Sequence, residues 1–115
     1  MSKETIVFVR HVLDSIRNIE SFTKGVTKVD FMNNKEKQSA VVHQIEIIGE
    51  AAKNIPKEFK QKYPLIAWSD IIRTRDKITH HYFGVDLNIV WDIVKKDLPK
   101  LKENISQILL KEIGS

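Results

Sequence analysis

The sequence predicts an all-α protein, an up-and-down bundle of four to five helices. Three observations carry this. Apolar residues recur at three- and four-residue intervals along most of the 115 positions. Only four Gly and three Pro punctuate the chain, which favours long elements over many turns. The one alternating stretch, Val26-Thr27-Lys28-Val29, is too short to read as a strand. The length fits a single domain, residues 1–115. An apolar fraction of 42% with 30% charged residues is a globular balance, not a disordered one.

The first helix is predicted from Lys3 to Thr23, with Ser2 as its cap. Ile6, Val9, Leu13, Ile16 and Ile19 form its apolar stripe, and Arg10, Asp14 and Arg17 lie off it. Gly25 and the polar run from Asp30 to Asn34 read as a loop or weak turn. A second helix follows from Asn34 to Asn54. Its stripe is Val41, Ile45, Ile48, Ala52 and Ile55, and His43, Glu46, Glu50 and Lys53 flank it. Gly49 stands in its middle at a cost of about 1 kcal/mol against Ala, and marks close approach by another backbone.

Pro56 ends that helix or opens a short one through Lys62, and Pro64 closes it. Ser69 is the expected cap of a helix reaching about Tyr82, with Gly84 as stop and Asp86 as the next cap. The last segment has the clearest period: Leu87, Trp91, Val94, Leu98, Leu101, Ile105 and Ile108. Pro99 inside it implies a kink or two consecutive helices. Ile89, Ile93, Leu109, Leu110 and Ile113 lie outside this seam, more apolar surface than one seam needs. Burial in a homodimer is the expected use.

Whole classes of chemistry are excluded. Without Cys there are no disulfides, thiolate metal sites or cysteine nucleophiles. No glycine-rich phosphate loop precedes a helix. Charges interrupt every apolar run, so no membrane span is expected. The Met1-Ser2-Lys3-Glu4-Thr5 start has no apolar region beside its one base, so a cytoplasmic location is expected.

The net charge of +4 is unevenly spread. Residues 51–83 hold seven bases against three acids, and the remainder balances twelve against twelve. A local surplus of this kind suits an anionic partner such as nucleic acid or nucleotide, and equally a solvated lysine face. His11 and His43 are isolated on helices and read as surface or half-buried residues. His80 and His81 diverge by about 100° on a helix, and Asp76 four residues before His80 makes half a metal site at best. No metal or cofactor is expected.

The segment Arg73-Thr74-Arg75-Asp76-Lys77-Ile78-Thr79-His80-His81-Tyr82 concentrates the polar chemistry. Arginine offers phosphate a planar fork of donors and keeps its charge. Histidine exchanges a proton near neutral pH. In RNA the 2′-hydroxyl is itself the nucleophile, so the protein needs none. The competing reading is a solvated helix end with two histidines by chance. Arg75 and His80 lie five residues apart, about 140° around a regular helix. To face one phosphate, either the helix unwinds near His80 or two copies of the segment meet across a dimer axis.

Arg75-Asp76-Lys77-Ile78-Thr79-His80-His81-Tyr82 resembles the Arg-x4-His-x-Tyr motif of the HEPN superfamily. Ile48-Gly49-Glu50-Ala51-Ala52-Lys53-Asn54-Ile55-Pro56 looks like the second-helix signature of its HepT-like branch. Tyr82-Phe83-Gly84-Val85-Asp86, Ile89-Val90-Trp91 and Leu98-Pro99 look like the final stretch of that branch. The likeness runs in order from about residue 40 to residue 105.

The resemblance implies an α-helical homodimer, the ribonuclease toxin of a toxin–antitoxin pair, cutting RNA without metal at the dimer interface. Its partner would be a nucleotidyltransferase antitoxin of the MNT type, in a complex that extends to a higher oligomer. Carried over residue by residue, Arg75 orients the scissile phosphate and His80 is the general acid or base. Tyr82 contacts substrate and receives a nucleotide from the antitoxin, and Glu50 orients the arginine. Arg73, Asp76 and His81 are expected to support substrate binding. Two positions depart from the pattern. Asp76 stands where Asn is common, and its carboxylate would repel phosphate unless paired with Arg73 or Arg75. His81 stands where Gly is frequent. The alternative function is a non-catalytic nucleotide-binding or nucleotidyltransferase-partner module. A DNA-binding helix-turn-helix is weaker, because no preceding short helix at the right angle is evident.

Overall fold

The computed structural model describes residues 2–80 and 84–114, and for residues 79 and 80 the backbone only. All its regular elements are helical: α1 (Lys3–Thr23), α2 (Lys28–Met32), α3 (Lys35–Asn54), α4 (Lys57–Lys62), α5 (Trp68–His80), α6 (Leu87–Asp92) and α7 (Leu98–Ile113). A π turn, Ile93–Asp97, joins α6 to α7.

The caps explain where the long helices begin. The Ser2 hydroxyl accepts the Thr5 amide at 3.1 Å, and the Asn34 side chain accepts the Lys37 amide at 3.0 Å. Asp86 accepts the Asn88 amide at 2.9 Å. α5 begins two residues earlier than expected. Trp68 is its first residue, so Ser69 lies inside the helix and does not cap it. The buried Trp68 fixes this start, donating its indole N–H to the Tyr63 carbonyl at 3.2 Å.

α3 lies against both α1 and α5, and α1 also packs on α7. Val9, Leu13, Ile16 and Ile19 of α1 meet Val41, Ile45, Ile48 and Ala52 of α3 in one buried cluster. The seam of the last segment joins them through Trp91, Val94, Leu98, Leu101, Ile105 and Ile108. Leu109, read as outside that seam, is buried as well, while Ile89 and Leu110 are exposed. Among the described residues, no helix is long and apolar enough to cross a membrane.

One local expectation is corrected and one is sharpened. The run around Asp30 to Asn34 is not simply a loop. Thr27 and Asp30 form a reciprocal capping box that starts α2, and this short helix sinks Phe31 fully into the core. Phe31 stacks on Trp91 with ring centres 5.1 Å apart. At Pro99 the second of the two expected arrangements is found, two consecutive helices, α6 and α7, joined by the π turn. The proline sits in the first turn of α7, where its missing N–H matters least, and the preceding π turn takes up the misfit.

Candidate active site

α5 carries the cluster, and its own periodicity explains where Arg75 goes. Trp68, Ile71, Arg75 and Ile78 follow each other at three- and four-residue steps, so the arginine occupies a position on the core-facing stripe. Trp68 and Ile78 are buried and Ile71 is half-buried. The Arg75 side chain is therefore laid against α3, with only 24% of its surface open to solvent.

What α3 offers there is Gly49 and Glu50. Gly49 makes room for the aliphatic stem of Arg75. The close approach expected at this glycine is thus made by a side chain, with the α5 backbone directly behind it. Beyond the stem, the guanidinium meets two acids. One terminal nitrogen lies 3.0 Å from Glu50 Oε2 on α3, and the other donates to Asp76 Oδ1 at 2.9 Å on α5 itself. Glu46, one turn before Glu50, adds its field. The bond to Asp76, ahead of the fields of Glu50, Asp76 and Glu46, pushes the arginine pKa further up despite an opposing desolvation. Nε is buried and has no partner among the described residues.

Asp76 is thus paired with Arg75 rather than left to repel an incoming anion. Arg73 is turned elsewhere: it is mostly exposed and pairs with Asp70, three residues back. Glu50 also accepts a 3.4 Å bond from the Asn54 amide, which steadies it from one turn further along α3. Sequence reasoning gave Glu46 no part in this site. Its signal was available, since it precedes Glu50 by four residues on the same face.

His80 is the last residue of α5, whose backbone stays helical up to that point. His81 and Tyr82 lie outside the described residues. Of the predicted site residues, the structure brings together Arg75, Glu50 and Asp76.

A second ionic cluster lies elsewhere, between the end of α4 and the end of α7. Lys62 Nζ is 2.6 Å from Glu112 Oε1, and the Tyr63 hydroxyl donates to the same oxygen. Desolvation, then the bond to Glu112, raises the Tyr63 pKa to about 12. The Lys62 bond, then that from Tyr63, holds the Glu112 carboxyl below its ordinary range.

Comparison with known proteins identifies the family. The sequence profile of the family described as ribonuclease HepT-like matches residues 12–108. A Thermococcus cleftensis protein named "probable ribonuclease HepT" is 43% identical over 101 residues, 88% of this chain and 92% of that protein. A Methanocaldococcus jannaschii protein, named a gamma-glutamylcyclotransferase and, provisionally, an RNase, is 49% identical over 109 residues. That match covers 95% of this chain, which spans about half the length of that relative (49%). A second protein of the same organism, provisionally named an RNase, is 39% identical over 107 residues, 93% of this chain and 88% of its own length. No solved structure matches the chain closely enough to count as a relative. With the arginine of the Arg-x4-His-x-Tyr motif anchored on the Gly-Glu step of the second long helix, and the profile matched from α1 to α7, the chain belongs to the HepT-like ribonuclease family.

Proposed function

We propose that this protein is a metal-independent endoribonuclease, acting in the cytoplasm as the toxin of a toxin–antitoxin pair, with Arg75 and His80 at its catalytic centre. The observation that carries this reading is the anchored guanidinium. Arg75 is packed along its stem and held at its head by two carboxylates on different helices, so it is preorganised. Both carboxylates are about half exposed, 54% for Glu50 and 44% for Asp76, so an RNA phosphate can reach them and displace one.

The chemistry then needs a proton acceptor. The His80 imidazole takes the proton of the 2′-hydroxyl, and O2′ bonds to phosphorus. The 5′-oxygen leaves with a proton returned by the imidazolium, giving a 2′,3′-cyclic phosphate and a 5′-hydroxyl end. Arg75 neutralises the charge that builds on the non-bridging oxygens. Because α5 stays helical to His80, the 140° between the two positions on a regular helix supports a cleft assembled from two copies rather than from one unwound helix. Tyr82 is the acceptor for nucleotide transfer by an MNT-type nucleotidyltransferase, which silences the toxin.

The test is cleavage of RNA in EDTA. Fragments ending in 2′,3′-cyclic phosphate are expected, and His80→Ala should lower the rate by roughly 10²- to 10⁴-fold with the fold intact. Unchanged cleavage in that variant removes the mechanism. For Tyr82, the intact mass of protein co-expressed with such a nucleotidyltransferase should rise by whole nucleotide additions, and should not rise in Tyr82→Phe.

The acid pairs also support a second reading. A guanidinium whose terminal nitrogens are both engaged within the chain suits a structural arginine in a non-catalytic nucleotide-binding module. Titrating the protein with RNA and with nucleotides decides between the two: binding without turnover favours the module.

A further inference from the structure

We propose that Gly49 is a positioning residue for Arg75: the side chain it lacks is the seat in which the arginine stem lies, and this seat sets where the guanidinium sits in the catalytic centre. The inference rests on the reading of Arg75 given above.

Gly49 is buried in the middle of α3, and its φ is not positive, so its backbone needs no glycine. Space is what it supplies. A Cβ on residue 49 would lie 2.1 Å from Arg75 Cβ and 2.4 Å from Cγ, with Cδ at 3.3 Å. The first contact is with the root of the side chain, so rotating the arginine away does not relieve it; α5 itself would have to move. The next residue along α3, Glu50, receives the guanidinium at 3.0 Å. Gly49 and Glu50 thus form one device, a gap for the stem followed by an anchor for the head. The buried Nε, without a partner among the described residues, shows how closely the stem is pressed to the helix. A shift of α5 by a fraction of the missing clearance would carry the guanidinium off Glu50 and change its distance to any bound phosphate.

Gly49→Ala is made alone and in an Arg75→Gly background, and thermal unfolding and RNA cleavage are measured. With Arg75 present, the alanine should lower the unfolding midpoint by about 5–10 °C. In the Arg75→Gly background it should leave the midpoint unchanged or raise it, because alanine is the better helix former where there is room. An equal fall in both backgrounds overturns the proposal. Should Gly49→Ala fail to fold, folding of the double variant supports the seat and its failure overturns it.

Cleavage is read well below the midpoint of Gly49→Ala, where its circular dichroism equals that of the wild type. There kcat should fall by roughly 100-fold, with KM changed by no more than about threefold, since a misplaced transition-state donor leaves ground-state binding in place. An unchanged kcat overturns the positioning role even if the thermal pair behaves as expected. Absence of cleavage by the wild-type chain removes the reading of the site, and the catalytic use of the seat with it. The thermal pair then still decides whether the seat exists as packing.

Discussion

The described residues hold two ionic clusters built in opposite senses. At the junction of α4 and α7, one acid, Glu112, is enclosed by two donors, Lys62 and Tyr63, and keeps only 10% of its side-chain surface in water. Between α3 and α5, one base, Arg75, is held by two acids that remain about half exposed. In the first, the sheltered group is an anion that takes both bonds on one oxygen, tying residues 62 and 63 to residue 112. In the second, the sheltered group is a cation, and its holders are anions that remain about half exposed. An anion arriving there can replace a carboxylate without burying a new charge. The difference separates a clamp from the proposed binding centre better than the number of ion pairs does.

Three experiments break or sharpen this contrast. The largest effect belongs to Arg75→Ala. RNA cleavage should fall by roughly 10²- to 10³-fold, the loss typical of one transition-state donor. The fall in unfolding midpoint should be small by comparison, because the acids left behind can face water. A variant that unfolds while a residual folded fraction cuts normally would make Arg75 a second clamp.

Next comes the pH dependence of the α4–α7 cluster. The raised pKa of Tyr63 means that its contribution to stability is fully present below pH 10 and is lost as pH rises toward about 12. The lowered pKa of Glu112 works on the other side. Its contribution is present above the ordinary glutamate range, near 4.5, and disappears as pH falls through the depressed value. Unfolding midpoints measured across both windows should show both losses. Tyr63→Phe should flatten the alkaline limb and Glu112→Gln the acid limb. Neither variant should alter RNA cleavage at neutral pH.

The smallest effect is expected from Asp76→Asn. It keeps the shape of the side chain and removes one anion from the guanidinium. RNA affinity should rise about two- to fivefold at low salt, the scale of a half-exposed ion pair worth under ~1 kcal/mol. Weaker binding in a filter or fluorescence titration would mean that Asp76 orients the arginine more than it competes for it.

Much of the architecture was legible because it is local. Ser2, Asn34 and Asp86 announce helix starts, and the three- and four-residue spacing of Val41, Ile45, Ile48 and Ala52 announces a buried face. α2 was missed because its signal is a capping box around a single aromatic in five residues, too short for any period to show. The joint at Pro99 was legible as an irregularity but not as a π turn, since a proline can be absorbed in several ways. At the site, Glu50 was legible only through the family resemblance, and Arg75 through that resemblance and the polar run from Arg73 to Tyr82. Arg75 also carries a local signal, as a charge standing where the stripe through Trp68, Ile71 and Ile78 calls for an apolar residue. The partner of Gly49 was not legible, because it lies 26 positions away on a different helix. The Tyr63–Glu112 contact spans 49 positions and has no local signature at all.

Phe31 gives the short α2 helix a significance out of scale with its five residues. Most of the connection between α1 and α3 faces water, and such a stretch ordinarily tolerates insertions and deletions. Here a one-residue change of length on either side of α2 would swing its single aromatic plug away from Trp91 and uncork the end of the bundle. The spacing of this link is therefore as tightly constrained as the interior it stoppers, although its composition is not.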